Sequence, residues 1–150
     1  MLASDQAKFI GFHKTLITLE ETTQSAIEFL LQQLRQCPPY YKELARAVRL
    51  FKNMMITMEE NIRMAMPTMQ HINARRHLTH CLTVFQSKQD LRHYAVASMS
   101  EAIESQSLCD SLIRRYEDTF KEADQLSVKI KVVLISICEI LDVAPTLLIG

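Results

Sequence analysis

Apolar residues recur along this chain at alternating steps of three and four residues, the spacing of one buried face of an α-helix. One such stripe covers residues 9–37 and a second covers residues 44–65. The second register continues beyond Pro67, but a proline inside a helix costs about 3 kcal/mol. We therefore predict that one helix ends at Met66 and that another begins after the proline.

The second half of the chain offers few points at which to divide it. No glycine or proline occurs from Thr68 to Ala144, and these residues mark most tight turns. The most polar run, residues 86–90, is the best candidate for a turn, and residues 104–107 are a second. We predict an all-α antiparallel bundle of four or five helices, over residues 5–37, 40–66, 68–87, 90–105 and 107–143.

A second architecture follows if residues 86–90 form the only turn after Pro67. A helix over residues 91–143 would then be about 80 Å long at 1.5 Å per residue, which suits an elongated three-helix antiparallel coiled coil. The succession of long antiparallel helices resembles focal-adhesion-type and vinculin-like bundles and BAR-type membrane domains. The resemblance is one of architecture and implies no functional residue.

Composition narrows the class of protein and of partner. The 150 residues suit one domain, residues 1–150, either whole or part of a longer protein. Basic and acidic residues balance at 17 each, which argues against nucleic acid as a partner. The start of the chain lacks the pattern of a signal peptide, and the four cysteines are scattered. A cytoplasmic protein with free thiols is therefore expected.

The segment Val132–Leu141 is apolar on nearly every side of its predicted helix. Such a helix is either buried on all sides or binds a partner. The candidate partner-binding residues here are Leu134, Ile137 and Leu141.

Six methionines lie within residues 54–69, and flexible thioethers suit a surface that repacks around a partner or an apolar ligand. Met55, Met58 and Met69 follow the core register and are expected to fill the core. The candidates for a partner surface are those off that register: Met54, Met64 and Met66.

A third candidate is the most basic stretch of the chain, which would attract an anionic partner or a membrane surface. Its residues are Arg75, Arg76, His77 and His80. The spacing of His77, His80 and Cys81 could also suit a metal ion, but Cys81 belongs to the apolar stripe and the arginines would repel a cation. We therefore expect no metal site and no cofactor.

Motifs of the common enzyme classes are absent from the sequence, including phosphate-binding loops and nucleophile elbows. The expected function is therefore non-enzymatic: an adaptor or scaffold domain that binds a partner protein or self-associates as a dimer through an apolar helix surface. A BAR-like curvature module at a membrane surface is the alternative, and a carrier of an apolar ligand or lipid is a weaker one.

Overall fold

A computed structural model describes residues 2–145, which form four helices: α1 (Leu2–Leu34), α2 (Tyr41–Met64), α3 (Ile72–Glu104) and α4 (Asp110–Leu141). Helices α1 and α3 each pack against both α2 and α4, so α2 and α4 lie at diagonal corners, and α3 lies closest to α4. Successive helices run antiparallel through short connections. The predicted all-α bundle is confirmed, with four helices.

The turn predicted at residues 86–90 is wrong, because this run lies in the middle of α3. Lys88 and Gln89 are buried, and their polar groups find partners on other helices. The turn predicted at residues 104–107 is confirmed, since α3 ends at Glu104 and α4 begins at Asp110.

The elongated three-helix alternative depended on a continuous helix over residues 91–143 and is therefore also wrong. The connection after Glu104 divides that stretch between α3 and α4. The longest helices have 33 residues, which corresponds to about 50 Å at 1.5 Å per residue. That length fits a four-helix bundle.

Two helices end without glycine at the position where glycine is most common. After α3, Gln106 has a φ of 51°, and after α4, Asp142 has a φ of 56°. The next amide in each case returns to the helix: Ser107 donates to Ala102 and Val143 donates to Cys138, as in a Schellman motif. These ends therefore carry no glycine signal in the sequence.

Asp5 joins α1 to the backbone just before α3. The helix predicted over residues 5–37 would begin at Asp5, but α1 already includes Leu2. The Asp5 carboxylate instead accepts hydrogen bonds from the amides of Gln70 and His71, at 3.0 and 2.9 Å. These bonds hold the pKa of Asp5 below its usual value and tie the start of α1 to the start of α3.

The interior contains two apolar clusters, one toward each end of the bundle. The first core joins the early part of α1 and of α3 to the late part of α4, with Phe9, Leu78 and Ile137 among its members. The second core joins the late part of α1 and of α3 to the early parts of α2 and α4. Polar residues lie between the two cores.

Gly11 does not mark a close approach of two helices. A Cβ atom added at this position would meet no atom within 4 Å. The residue is exposed and borders a shallow cavity of about 400 Å³ beside Thr68.

Candidate interaction surfaces and the buried polar layer

A layer of charged and polar side chains crosses the bundle between the two apolar cores. Its centre is Glu20 of α1, whose carboxylate accepts hydrogen bonds from Lys88 and Arg92 of α3. The Arg92 side chain is fully buried, and Lys88 also donates to Ser127 of α4 at 2.8 Å. Glu20 therefore links α1 to the diagonally opposite helix.

Further hydrogen bonds extend this polar layer to the other helices. Glu59 of α2 lies 2.9 Å from the Gln89 amide and 2.6 Å from Nε2 of His93. Gln24 of α1 donates to Asp124 of α4 at 2.7 Å. Every helix thus contributes to the polar layer.

Burial and neighbouring charges both shift the pKa values of groups in the polar layer. Burial by itself would raise the pKa of Glu20, but Arg92 and Lys88 outweigh it and hold that pKa below the usual value. Burial lowers the pKa of Lys88, and Glu20 opposes part of that shift. A buried ion pair adds little net stability, but removing one of its partners strongly destabilises the protein. We infer that the polar layer fixes how the helices align.

The three apolar candidates on α4 lie inside the molecule. Leu134, Ile137 and Leu141 have exposed fractions of 4%, 0% and 0% and belong to the first core. Of the two alternatives drawn from the sequence, burial is correct for these residues. They contact the chain's own helices and form no part of its surface.

A different face of α4 is uncovered. Val128, Val132 and Ile135 are 66%, 59% and 42% exposed and follow one another at steps of four and three residues, so they form one strip. Lys129 and Lys131 are exposed beside them. We call these five residues the α4 strip.

The methionine candidates differ among themselves. Met64 is 84% exposed at the end of α2, whereas Met54 and Met66 are half-buried against the second and first cores respectively. Among the expected core residues, Met55 and Met69 are fully buried, whereas Met58 is half-buried. Only Met64 therefore presents most of its side chain to a partner.

The predicted basic patch lies at the start of α3. Arg76 and His80 are exposed, but the Arg75 guanidinium donates two hydrogen bonds to the carbonyl of Met69, at 3.0 and 2.7 Å. The Nδ1 atom of His77 lies 2.8 Å from the Asn73 carbonyl. Two of the four side chains therefore stabilise the chain's own backbone.

The possible metal ligands near this patch are not assembled. Cys81 is buried in the first core, and burial raises its pKa to about 12, so its thiol stays protonated and binds metal poorly. Within residues 2–145 no group of three or more His, Cys, Asp or Glu side chains is placed to hold a metal ion.

A groove between the early part of α2 and the late part of α3 forms a cavity of about 510 Å³. Its floor is apolar and includes Ala45, Val48 and Ile103, the last two of which are buried. We call this feature the α2–α3 groove.

Three cations of α2 line the α2–α3 groove: Lys42, Arg49 and Lys52. They recur at steps of seven and three residues, which places them on one side of the helix. No carboxylate in the part of the chain that the structure describes forms an ion pair with any of them. Glu104, on the opposite side, is the acidic residue of the lining.

Neither surface was predicted from the sequence, although Val132 and Ile135 lie in the segment Val132–Leu141 that was named as apolar on nearly every side. The spacing of Lys42, Arg49 and Lys52 was visible in the sequence, but the groove also needs α3 beside α2. The α4 strip was within reach of the sequence, because Val128, Val132 and Ile135 fall outside the three- and four-residue steps that join the buried residues Ile130, Val133 and Ile137.

Among residues 2–145, no helix is both long enough and apolar enough to cross a bilayer. Searches against protein-family models, curated proteins and solved structures found no match to this chain.

Proposed function

We propose that this chain is a non-enzymatic interaction domain that binds an acidic amphipathic helix of a partner protein in the α2–α3 groove. The observation that carries the proposal is a row of three unpaired cations beside an apolar floor. Docking of a helix into a groove is a common mode of peptide recognition, in which apolar anchors fill the groove.

The dimensions of the groove favour a helical segment. Lys42 and Lys52 are ten residues apart on α2, which corresponds to about 15 Å along the helix axis. A partner helix of about three turns would cover that length. Carboxylates repeating every three or four residues along it would meet all three cations, while its apolar face would cover Ala45 and Val48.

The charges and the apolar floor have different roles in this proposal. Exposed ion pairs contribute about 0–1 kcal/mol each, so the cations mainly select and steer an acidic partner. Affinity depends more on the apolar contacts, and the contact area is small. We therefore expect a transient complex with a dissociation constant on the order of micromolar.

A synthetic peptide tests this proposal directly. The probe is a helical peptide of about three heptads with Leu at positions a and d and Glu at positions e and g. The comparison peptide carries Lys in place of Glu. By isothermal titration calorimetry, we expect the Glu peptide to bind at least about tenfold more tightly than the Lys peptide, a difference of about 1.4 kcal/mol.

Charge reversal then locates the binding. The test variant is Lys42→Glu/Arg49→Glu/Lys52→Glu, and the matched control is Lys14→Glu/Arg76→Glu/Arg114→Glu, which changes the net charge equally at exposed positions on other helices. The test variant should lose groove binding and the control should retain it. Equal loss in both variants would reduce the effect to net charge and contradict the proposal.

Anionic vesicles provide the remaining arm of this experiment. Vesicles of phosphatidylserine present negative charge without an apolar helix face. If they co-sediment with the protein through Lys42, Arg49 and Lys52 while the Glu peptide does not bind, the groove serves a membrane surface and the proposal is wrong. Inorganic phosphate should not compete with the peptide when the ionic strength is matched with sodium chloride.

A further inference from the structure

The α4 strip is a second apolar surface that the α2–α3 groove does not explain. Its three aliphatic side chains are between 42% and 66% exposed and lie on the side of α4 opposite to the buried Ile137. Isolated exposed apolar residues are normal on protein surfaces, but several in one strip mark interaction sites. The strip is therefore a candidate docking surface in its own right.

The spacing of the strip specifies the shape of its partner. Steps of four and three residues are the repeat of a coiled-coil seam, which packs against another helix at a shallow angle. Val128 and Ile135 are seven residues apart, about 10 Å along the axis. A partner helix of two to three turns, lying along α4 as a fifth helix, would cover all three aliphatic side chains.

The charges beside the strip select the partner. Successive residues turn by about 100° around a helix. Lys129 and Lys131 therefore lie on opposite flanks of the line that joins Val128 and Val132. In a pair of antiparallel copies related by a two-fold axis, each flank would meet the same flank of the other copy. Lysine would then face lysine, whereas a helix with acidic flanks would complement both sides.

We propose that the α4 strip docks a second acidic amphipathic helix of a partner protein, so that this bundle holds two such segments at once. The strip belongs to α4 and the groove to α2 and α3, and α2 and α4 occupy diagonal corners. The two surfaces therefore face different directions, and one bound helix would not obstruct the other. A domain built in this way connects two acidic segments, in one partner or in two.

Stoichiometry tests this inference, with the same Glu peptide as the probe. In calorimetric titrations we expect two peptides per wild-type protein. The strip variant Val128→Gln/Val132→Gln/Ile135→Gln should bind one, and the groove variant Lys42→Glu/Arg49→Glu/Lys52→Glu should bind the other. A matched control is Phe29→Gln/Leu50→Gln/Tyr94→Gln, which replaces equally exposed apolar residues elsewhere and should still bind two. Thermal unfolding by circular dichroism checks that each variant is folded.

The possible outcomes separate this inference from the proposed function. One site, lost only in the groove variant, would overturn the inference and retain the proposed function. One site, lost only in the strip variant, would overturn both the proposed function and the binding of two helices at once, and would retain the strip as a docking surface. Concentration-dependent dimerisation of the free protein in sedimentation velocity, abolished in the strip variant, would assign the strip to a second copy and overturn the inference. Binding of phosphatidylserine vesicles through the strip, without peptide binding there, would overturn it in favour of a membrane.

Discussion

The two faces of α4 have nearly the same apolar character and opposite positions in the fold. Ile137 on the inner face is fully buried in the first core, whereas Val132, five residues earlier on the outer face, is 59% exposed. The inner face packs against α1 and α3, and no helix of residues 2–145 covers the outer one. The same kind of side chain thus stabilises the fold on one face and is available for binding on the other.

This difference shows that an apolar helix should be divided into faces before a function is assigned to it. Leu134, Ile137 and Leu141 are apolar because the core requires it, and replacing them would damage folding before it affected any partner. Val128, Val132 and Ile135 can be replaced with little effect on the core. Only the second set can report on binding.

The same charge placed on each face of α4 should give the largest difference in stability. In Ile137→Asp the carboxylate would be buried without a partner, which we expect to cost more than about 5 kcal/mol. That is comparable to the whole stability of a small domain, so the protein should unfold. Val132→Asp should change the unfolding free energy by about 0.5 kcal/mol or less.

Urea unfolding followed by circular dichroism measures both variants. The two variants are matched, because each introduces Asp in place of a β-branched residue of α4 and the loss of helix propensity is therefore similar. Similar losses of stability in the two variants would show that the outer face is covered and would contradict the comparison.

A smaller loss of stability is expected from a change in the polar layer, which the inner face of α4 joins through Asp124 and Ser127. Glu20→Gln removes the negative charge that Lys88 and Arg92 share and leaves one amide oxygen in place of two carboxylate oxygens. Loss of one partner of a buried ion pair typically costs 3–5 kcal/mol, and since Glu20 retains 24% exposure we expect about 2–3 kcal/mol.

The adjacent Glu21→Gln is the matched control, because Glu21 is exposed on the same helix. It should leave the midpoint of urea unfolding within experimental error of the wild type. A Glu20→Gln protein as stable as the Glu21→Gln protein would show that the polar layer adds nothing to stability that a neutral amide cannot supply.

The smallest predicted effect is a change of stability with pH, which arises from a histidine beside the first core. His13 is buried next to Phe9, and burial lowers its pKa below 6.5. As the pH falls through about 6.5, His13 binds a proton in the unfolded chain, whereas in the folded protein it binds one only at a lower pH. The unfolding free energy should therefore decrease as the pH is lowered from 7 through this range.

Unfolding measured between pH 7.5 and 5.5 tests this linkage. His13→Gln should flatten the dependence, and His80→Gln, at an exposed position, should not. A wild-type stability that rises on acidification would contradict burial of a neutral His13.

The helices themselves were predictable because their cores follow a three- and four-residue repeat. The register that began at Phe9 is buried or half-buried as far as Leu30 but ends on the exposed Cys37 beyond α1, and the register that began at Leu44 is buried or half-buried as far as Ile62. The break at Pro67 was found from proline chemistry alone. The polar run at residues 86–90 could not be interpreted in this way. Its burial depends on Glu20, 68 residues from Lys88 along the chain, and local polarity gives no indication of so distant a partner.

The candidate sites were less accessible to sequence for a related reason. Whether Leu134 or Val128 faces a partner depends on which sides of α4 are covered, and that is fixed by three other helices. The α2–α3 groove needs the position of Ile103 relative to Val48, which no periodicity reports. The burial of Met55 was predictable, since it lies on the core register, whereas the exposure of Met64 follows from its place at the end of α2.

In both proposals a cationic, apolar surface of this bundle binds an acidic helix, while the interior holds the four helices together. Chemical-shift mapping of the isotope-labelled protein during titration with the Glu peptide tests both surfaces in one experiment. We expect shifts concentrated at residues 41–52 with 100–106 and at residues 128–135, with little change at Arg76 or Met64. Shifts confined to other surfaces, or an equal response to the Lys peptide, would contradict both proposals.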